Sequence, residues 1–394
     1  MVLTGGGSGG HITPILAVAT EIKAIDPKVE IIYVGQKGDS LADIPKSNPH
    51  IDVVHLVHAG KFRRYNGEGL KQLLDFKTVG LNIRDAFYVV FGIIESFFMM
   101  RRLKPDLVFS RGGFVSVPVC FGGKLNRIDY ITHDSDPIPS LANRIIAPWA
   151  LYNFVALPKE IYPYPVNKTL TTGIPLNNNF VPVTEKRKEN YRKDLGLQPT
   201  DQILFVIGGG QGAQSLNQAL EAVIVNLLSE FPKLKVIHQA GRANIREVSS
   251  KYEKSLNKSQ QSRVEILDFT DKVYEYSGAA DIVVTRAGAT NLAEFSIQGK
   301  ACIIVPNSYL TAGHQLKNAK FLADNRAAIM LTDKELEEDP NRLAKTISDL
   351  LKDPERIGQL AKKIRKFGMP GSARIIAKKL IDIMDKDASE RKTH

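Results

Sequence analysis

Two glycine runs each follow a short apolar stretch: Gly5-Gly6-Gly7-Ser8-Gly9-Gly10-His11 and Gly208-Gly209-Gly210-Gln211-Gly212-Ala213. Glycine lets a backbone turn sharply and come close to a bulky group. A helix opening behind such a turn offers unpaired N–H groups and the positive end of its dipole, which suits a diphosphate. Neither run is a P-loop, because no Gly-Lys-Ser/Thr follows. Gly5, Gly7 and Gly10 match the dinucleotide spacing only by overlap, and Val34-Gly35-Gln36 stands where a ribose-binding acid would end the second strand. One such turn is weak evidence, whereas one in each half of the chain is a stronger signal.

Other groups stand at similar places. His11 follows the first glycine run, and Pro14 is expected to open the helix behind it. A lone histidine commonly caps or packs, yet at a strand tip its neutral imidazole can accept a hydroxyl proton. Arg286-Ala287-Gly288-Ala289-Thr290-Asn291-Leu292-Ala293-Glu294 sets small residues at a helix start and a carboxylate about two turns in. That carboxylate can accept both hydroxyls of a ribose, or be an ordinary surface Glu. Gly313-His314-Gln315 offers neutral donors and acceptors suited to sugar hydroxyls. Asp134-Ser135-Asp136 has the form of a metal-binding Asp-x-Asp, although its place after a strand also fits a metal-free role.

These groups need strands to hold them. Apolar runs at 31–34, 53–57, 107–110, 130–132 and 151–156 alternate with helix-like stretches at 15–25 and 87–102. The second half repeats the scheme, with strands at 203–207, 235–238, 264–267, 281–285 and 301–305 and a helix at 215–228. Such alternation predicts an α/β chain of two doubly wound, Rossmann-like domains facing across a cleft. The expected domains are 1–172 and 173–370, joined through a Pro- and Asn-rich connector at 162–183. A final amphipathic helix within 371–394 is expected to pack back on the first domain.

The chain has 394 residues, net charge +11 and two cysteines, Cys120 and Cys302, each in an apolar run. The charge calls for an anionic partner: nucleic acid, acidic lipid or a diphosphate. No nucleic-acid motif appears, and the cysteines read as core residues of a protein in a reducing cytoplasm. The opening residues lack the basic and apolar regions of a signal peptide, and no run reaches the ~18 apolar residues of a membrane span. Lys61-Phe62-Arg63-Arg64-Tyr65-Asn66-Gly67 is a basic, aromatic loop, followed by Leu70, Leu73, Leu74, Phe76, Lys77, Leu81 and Arg84. Residues 61–104 carry nine Lys/Arg against four Asp/Glu. Apolar groups ringed by cations suit an anionic membrane surface. Phe87, Val90, Phe91, Ile94 and Phe98, at 3–4 spacing, are either part of that surface or the core face of a helix.

In order, the strings GGGSGGHITPILAVA, RGGFVSVP, THDSD, TGIP, GGGQGAQSLN, RAGATNLAE and GHQLKNA resemble the MurG family of peptidoglycan glycosyltransferases, glycosyltransferase family 28. The resemblance covers nearly the whole chain. It implies the two-domain GT-B fold and an inverting, metal-independent hexosyltransferase without cofactor. The reaction implied moves GlcNAc from UDP-GlcNAc to the 4-hydroxyl of MurNAc in undecaprenyl-pyrophosphoryl-MurNAc-pentapeptide, lipid I to lipid II. The enzyme would sit peripherally at the cytoplasmic face of the inner membrane.

By the same resemblance, His11 would be the general base, assisted by Asp134. Ser8, Gly9 and Gly10 would line the diphosphate region, and Phe114 an acceptor-side loop where the family usually has Tyr. Gly209, Gly210 and Gln211, with Gly288, Ala289, Thr290, Asn291, Leu292 and Ala293, would wrap the donor. Glu294 would hold the ribose, Thr270 the uracil, and His314 and Gln315 the GlcNAc hydroxyls. The chain departs from the family pattern at Asp134 and Asp136 (usually Glu and Asn), at Asn177 (usually Arg), at Gly210 (usually Ser) and at Gly313 (usually acidic). Same-fold alternatives are a glycolipid synthase or a UDP-sugar epimerase. A non-catalytic nucleotide-sugar-binding protein is the alternative from another class.

Overall fold

The computed structural model describes residues 1–6, 9–62, 76–209, 212–307 and 313–392, with backbone only for 9–11, 76–77 and 387–392. The chain forms two compact units, Met1–Asn178 with Gly371–His394, and Asn179–Pro370. The first is built on seven strands: β1 (Val2–Thr4), β2 (Ile32–Gln36), β3 (Val53–Val57), β4 (Val108–Ser110), β5 (Tyr130–Asp134), β6 (Tyr152–Val155) and β7 (Thr169–Thr171). Their order is β3-β2-β1-β4-β5-β6-β7. Every pairing is parallel, with Leu3 between Tyr33 and Phe109.

A parallel strand is covered on both faces, so its residues read as a continuous apolar run whose alternate members enter different layers. Leu3, Tyr33, Phe109, Ile131 and Phe154 share one core with Ile15, Val18 and Ile22 of the helix Gly9–Ile25. Ile376, Ala377 and Leu380 of the helix Ser372–Lys392 complete that core. Val2, Ile32, Val34, Val108 and Tyr130 enter the opposite layer, with Met100, Val119 and Cys120.

The second unit has six strands: β8 (Gln202–Ile207), β9 (Leu234–Gln239), β10 (Val264–Leu267), β11 (Ile282–Thr285), β12 (Ala301–Ile304) and β13 (Ile329–Met330). They are ordered β10-β9-β8-β11-β12-β13 and are parallel throughout. In each sheet the order reverses beside the first strand, at β1/β4 and at β8/β11. Such switch points open crevices at the strands' carboxyl ends. The doubly wound α/β class expected from the sequence is present in both units.

Two local expectations need correction, and one strand was not foreseen. The helix behind the first glycine run starts at Gly9, with Pro14 inside it rather than opening it. The connector at 162–183 contains β7, which pairs with β6, because Thr169-Leu170-Thr171 is a β-prone triplet between prolines. Last, β13 is only two residues long and leaves no periodic signal.

The helix Phe76–Leu103 settles the alternative left open for its aromatic stripe. Phe87 is 61% and Phe98 64% exposed, with Val90, Phe91 and Ile94 exposed alongside, whereas Met100 and the partly buried Val89 pack inward. The stripe is therefore a surface. Of the basic, aromatic loop, Arg63, Arg64, Tyr65, Asn66, Gly67, Leu70, Leu73 and Leu74 lie outside the described residues. No helix among the described residues is long and apolar enough to cross a membrane.

Candidate functional site

In the second unit the site grows from the ends of β8 and β11. The loop after β8 closes tightly. Gly212 has φ +81°, and a Cβ there would lie 2.2 Å from the Ala240 carbonyl oxygen, so only glycine fits. Arg286, the first residue after β11, is 6% exposed. Its guanidinium donates to Asp333 Oδ1 at 2.8 Å, to Ser215 Oγ at 2.5 Å and to the Val305 carbonyl at 3.0 Å. Ser215 in turn donates to Asp333 at 2.8 Å. Among the described residues the buried Arg286 Nε–H has no partner. Gly208, Gly212, Ser215, Gln218, Arg286 and Gln315 line a polar cavity of about 620 Å³. Gln315 accepts from the Asn307 N–H at 2.9 Å, which turns its carbonyl into the wall.

The helix Ala289–Gln298 leaves β11 through Gly288, its N-cap. Ala289, Thr290 and Asn291 open its first turn, where N–H groups lack a helical acceptor and face the strand-end crevice, and the Leu292 N–H closes the turn on the Gly288 carbonyl at 3.0 Å. Glu294 follows Ala293 on this helix and makes no hydrogen bond or ion pair among the described residues. Desolvation pushes its carboxyl from 4.5 up to about 8. An unpaired, desolvated carboxylate costs stability and is the kind of group a site keeps for a ligand. Thr270 lies in the loop after β10, its hydroxyl accepting from the Lys272 N–H at 3.0 Å. His314 begins the helix His314–Asp324, whose N-cap Gly313 has φ +63°.

In the first unit the corresponding ends are those of β1 and β4. The Arg111 N–H bonds the Thr4 carbonyl at 2.9 Å, stitching the two strand ends together. A Cβ on Gly5 would lie 2.9 Å from Ile15 Cδ1 and 3.2 Å from Arg111 Cβ. Arg111 is fully enclosed, and burial lowers its guanidinium to about 10 while Asp136 and Asp134 act in the opposite sense. Arg111 Nη1 lies 2.5 Å from His133 Nδ1, and His133 Nε2 lies 2.8 Å from the Gly173 carbonyl. Burial, then the Arg111 charge, holds His133 well below 6.5. Its ring is therefore neutral, accepting at Nδ1 and donating at Nε2.

Asp134 ends β5 and is 4% exposed. The Tyr164 hydroxyl donates to its Oδ2 at 2.6 Å, and the Ser140 N–H approaches Oδ1 at 3.3 Å. Desolvation raises its carboxyl pKa. With both oxygens engaged and buried, Asp134 is not an open base. It ties the loop after β5 to Tyr164. Asp136 is partly exposed in that loop, and Asn177 is exposed. Phe114 is partly buried after β4. Among the described residues no group of three His, Cys, Asp or Glu could hold a metal ion.

Ser8, Gly210 and Gln211 lie outside the described residues. Gly9, Gly10 and His11 are placed by backbone alone, as the first turn of the helix Gly9–Ile25. Gly209 stands at φ +90° in the second loop. The sequence reading missed Arg111, Arg286, Ser215 and Asp333. Its available signal was that Ser110-Arg111-Gly112 and Thr285-Arg286-Ala287 repeat one arrangement at the ends of β4 and β11.

Comparison with known proteins agrees with this layout. Residues 1–154 match the glycosyltransferase family 28 N-terminal domain, and residues 203–376 its C-terminal domain. The UDP-N-acetylglucosamine–N-acetylmuramyl-(pentapeptide) pyrophosphoryl-undecaprenol N-acetylglucosamine transferase of Natranaerobius thermophilus is 30% identical over 380 residues, covering 96% of this chain and 98% of that protein. The same-named protein of Halothermothrix orenii is 31% identical over 375 residues, covering 94% and 95%. Among solved structures, Acinetobacter baumannii MurG superposes with TM-score 0.73 at 21% identity, covering 98% of this chain and 99% of that one. A UDP-GlcNAc 2-epimerase from Neisseria meningitidis shares the fold, with TM-score 0.64 at 12% identity, covering 97% and 99%. The chain belongs to glycosyltransferase family 28, with the UDP-N-acetylglucosamine–N-acetylmuramyl-(pentapeptide) pyrophosphoryl-undecaprenol N-acetylglucosamine transferases.

Proposed function

We infer that this chain transfers N-acetylglucosamine from UDP-GlcNAc to the muramyl sugar of a pyrophosphoryl-undecaprenol acceptor, as the names of its relatives describe. The observation that carries the reading within the site is Glu294, a partly exposed carboxylate on the helix that leaves β11, raised to about 8 by desolvation and without a partner among the described residues. Ribose hydroxyls would supply the donors it lacks. The UDP diphosphate then lies against the helix N-terminus at Gly288 and the loop after β8, and backbone N–H groups meet the charge that develops as UDP departs. Gln315 and His314 face the sugar, and Thr270 the uracil.

The reaction is an in-line displacement. The acceptor 4-hydroxyl gives its proton to His11 and attacks C1 of GlcNAc. The C1–O bond to UDP breaks, and the configuration at C1 inverts. Asp134 acts as a positioning residue, holding the loop after β5 through Tyr164. The exposed stripe Phe87, Phe91, Ile94 and Phe98, with the neighbouring cations, rests on an anionic membrane surface at the cytoplasmic face.

Turnover of labelled UDP-GlcNAc with a lipid-linked muramyl acceptor tests the reading. His11→Ala should lower kcat by roughly 10²–10⁴ with UDP-GlcNAc binding nearly intact. Full activity in that variant removes His11 from the role. Formation of a 2-epimer without any acceptor, and no transfer with one, would replace the reading by the epimerase of the same fold.

A further inference from the structure

We propose that an apolar cavity at the carboxyl ends of β3, β4 and β5 holds the first isoprene units of the acceptor's polyprenyl chain; the proposal rests on the transferase reading above. The cavity measures about 360 Å³ and is walled by Val89, Ile93, Phe114, Val117, Phe121 and Leu141. At about 30 Å³ per heavy atom that is room for about two five-carbon units.

Three observations point to this occupant. First, the walls come from the loops after β3 (Gly60, Phe62), β4 (Gly113, Phe114) and β5 (Ser140), so the cavity opens at the ligand-binding edge of the sheet. An apolar hole at that edge is out of place for a sugar or a nucleotide and suits a hydrocarbon joined to one. Second, among the described residues the single charged group in the wall is Lys61. A hydrocarbon pocket with one cation matches an isoprenoid that ends in a pyrophosphate. Third, the cavity wall adjoins the exposed stripe on the same helix. Val89 and Ile93 stand one turn apart on the helix Phe76–Leu103, and their sequence neighbours Val90 and Ile94 are exposed. Successive helix positions are about 100° apart, so the outward and cavity-facing stripes share an edge. A chain leaving an apolar phase meets the stripe one helix position from the cavity wall.

Two substitutions in the full-length protein test this. Ala142→Phe fills the cavity, and Ile93→Ser puts a hydroxyl in its wall. Each is assayed in detergent with the same muramyl pyrophosphate carried on a long polyprenyl chain or on a two-carbon chain, and each is measured for UDP-GlcNAc binding. Co-sedimentation with vesicles containing anionic phospholipid is the third readout. The wild type should show a lower KM for the long-chain acceptor. Each variant should raise that KM about tenfold, with kcat, the short-chain KM, UDP-GlcNAc binding and vesicle binding unchanged. Variants that keep the wild-type dependence on chain length overturn the proposal. Variants that lose vesicle binding with an unchanged long-chain KM also overturn it, and assign the cavity to bilayer acyl chains. No turnover by the wild type on either acceptor would instead sink the transferase reading itself.

Discussion

The two units place an arginine at the same topological position and treat it differently. Arg286 after β11 is clamped by a carboxylate, Asp333, and by Ser215. Arg111 after β4 gives a guanidinium N–H to a neutral imidazole, His133, with Asp134 and Asp136 acting on it electrostatically. A buried arginine held by a carboxylate is largely neutralised and serves as a fixed strut for the cavity wall. Arg111 instead meets a buried ring nitrogen at Nη1, with Asp136 and Asp134 near enough to act on its charge. The same fold position is thus held by a carboxylate clamp in one unit and by a buried imidazole with carboxylates nearby in the other.

Breaking the clamp should have the largest effect. Arg286→Ala leaves Asp333 buried without its charge partner and should destabilise the second unit by about 3–5 kcal/mol in urea unfolding. Arg111→Ala leaves one ring nitrogen without its donor and should cost about 1–3 kcal/mol. Equal losses would erase the distinction between the two arginines.

Acid gives the next largest effect. His133 is held well below 6.5, and His238, lodged between Tyr252 and Asn217, is lowered to about 4 by burial. In the unfolded chain both bind a proton near 6.5, so the unfolded state gains protons that the folded state refuses. Stability is therefore full above about pH 6.5 and falls as pH drops, by up to ~1.4 kcal/mol per pH unit per histidine. For His238 that is about 2 kcal/mol by pH 5. His238→Gln should flatten the second unit's share alone, and urea midpoints at pH 7 and 5 would show it.

Glu294, partly exposed on its helix, gives the sharpest sign. Its folded pKa, about 8, is above the ordinary 4.5, so its unfavourable contribution is absent below pH 4.5 and grows as pH rises toward 8. Glu294→Gln should match the wild type in Tm at pH 4 and exceed it at pH 8, while weakening UDP-GlcNAc about tenfold. Ribose hydroxyls favour the ionised carboxylate, so wild-type affinity should climb between pH 6 and 8 and then level off. Calorimetric titration would show a flat profile if the carboxylate does not touch the nucleotide.

Much of this layout was legible in the sequence because parallel strands and glycine turns are local. Apolar runs such as Ile203-Leu204-Phe205-Val206-Ile207 announce a strand buried on both faces, and the glycines after it announce the turn. The partners of the polar groups were not legible, because they are long-range. Arg286 meets Asp333 47 residues on, and Asp134 meets Tyr164 30 residues on. Nothing near Asp134 in the chain shows that its carboxyl is already engaged. The exposed side of the helix Phe76–Leu103 was ambiguous for another reason. A 3–4 spacing marks an apolar stripe, but only the packing of Met100 on the sheet shows which stripe is inside.

The first unit is completed by a helix made after the whole second unit. Ile376, Ala377 and Leu380 close the layer that contains Leu3 and Ile15, with Asn179–Pro370 translated in between. At 5–20 residues per second, a ribosome takes roughly 10–40 s over that insertion. During that interval the nascent helix Gly9–Ile25 carries an uncovered greasy flank. A message broken near codon 370 would yield a finished second unit attached to an unfinished first one, a species prone to clumping and to proteolysis.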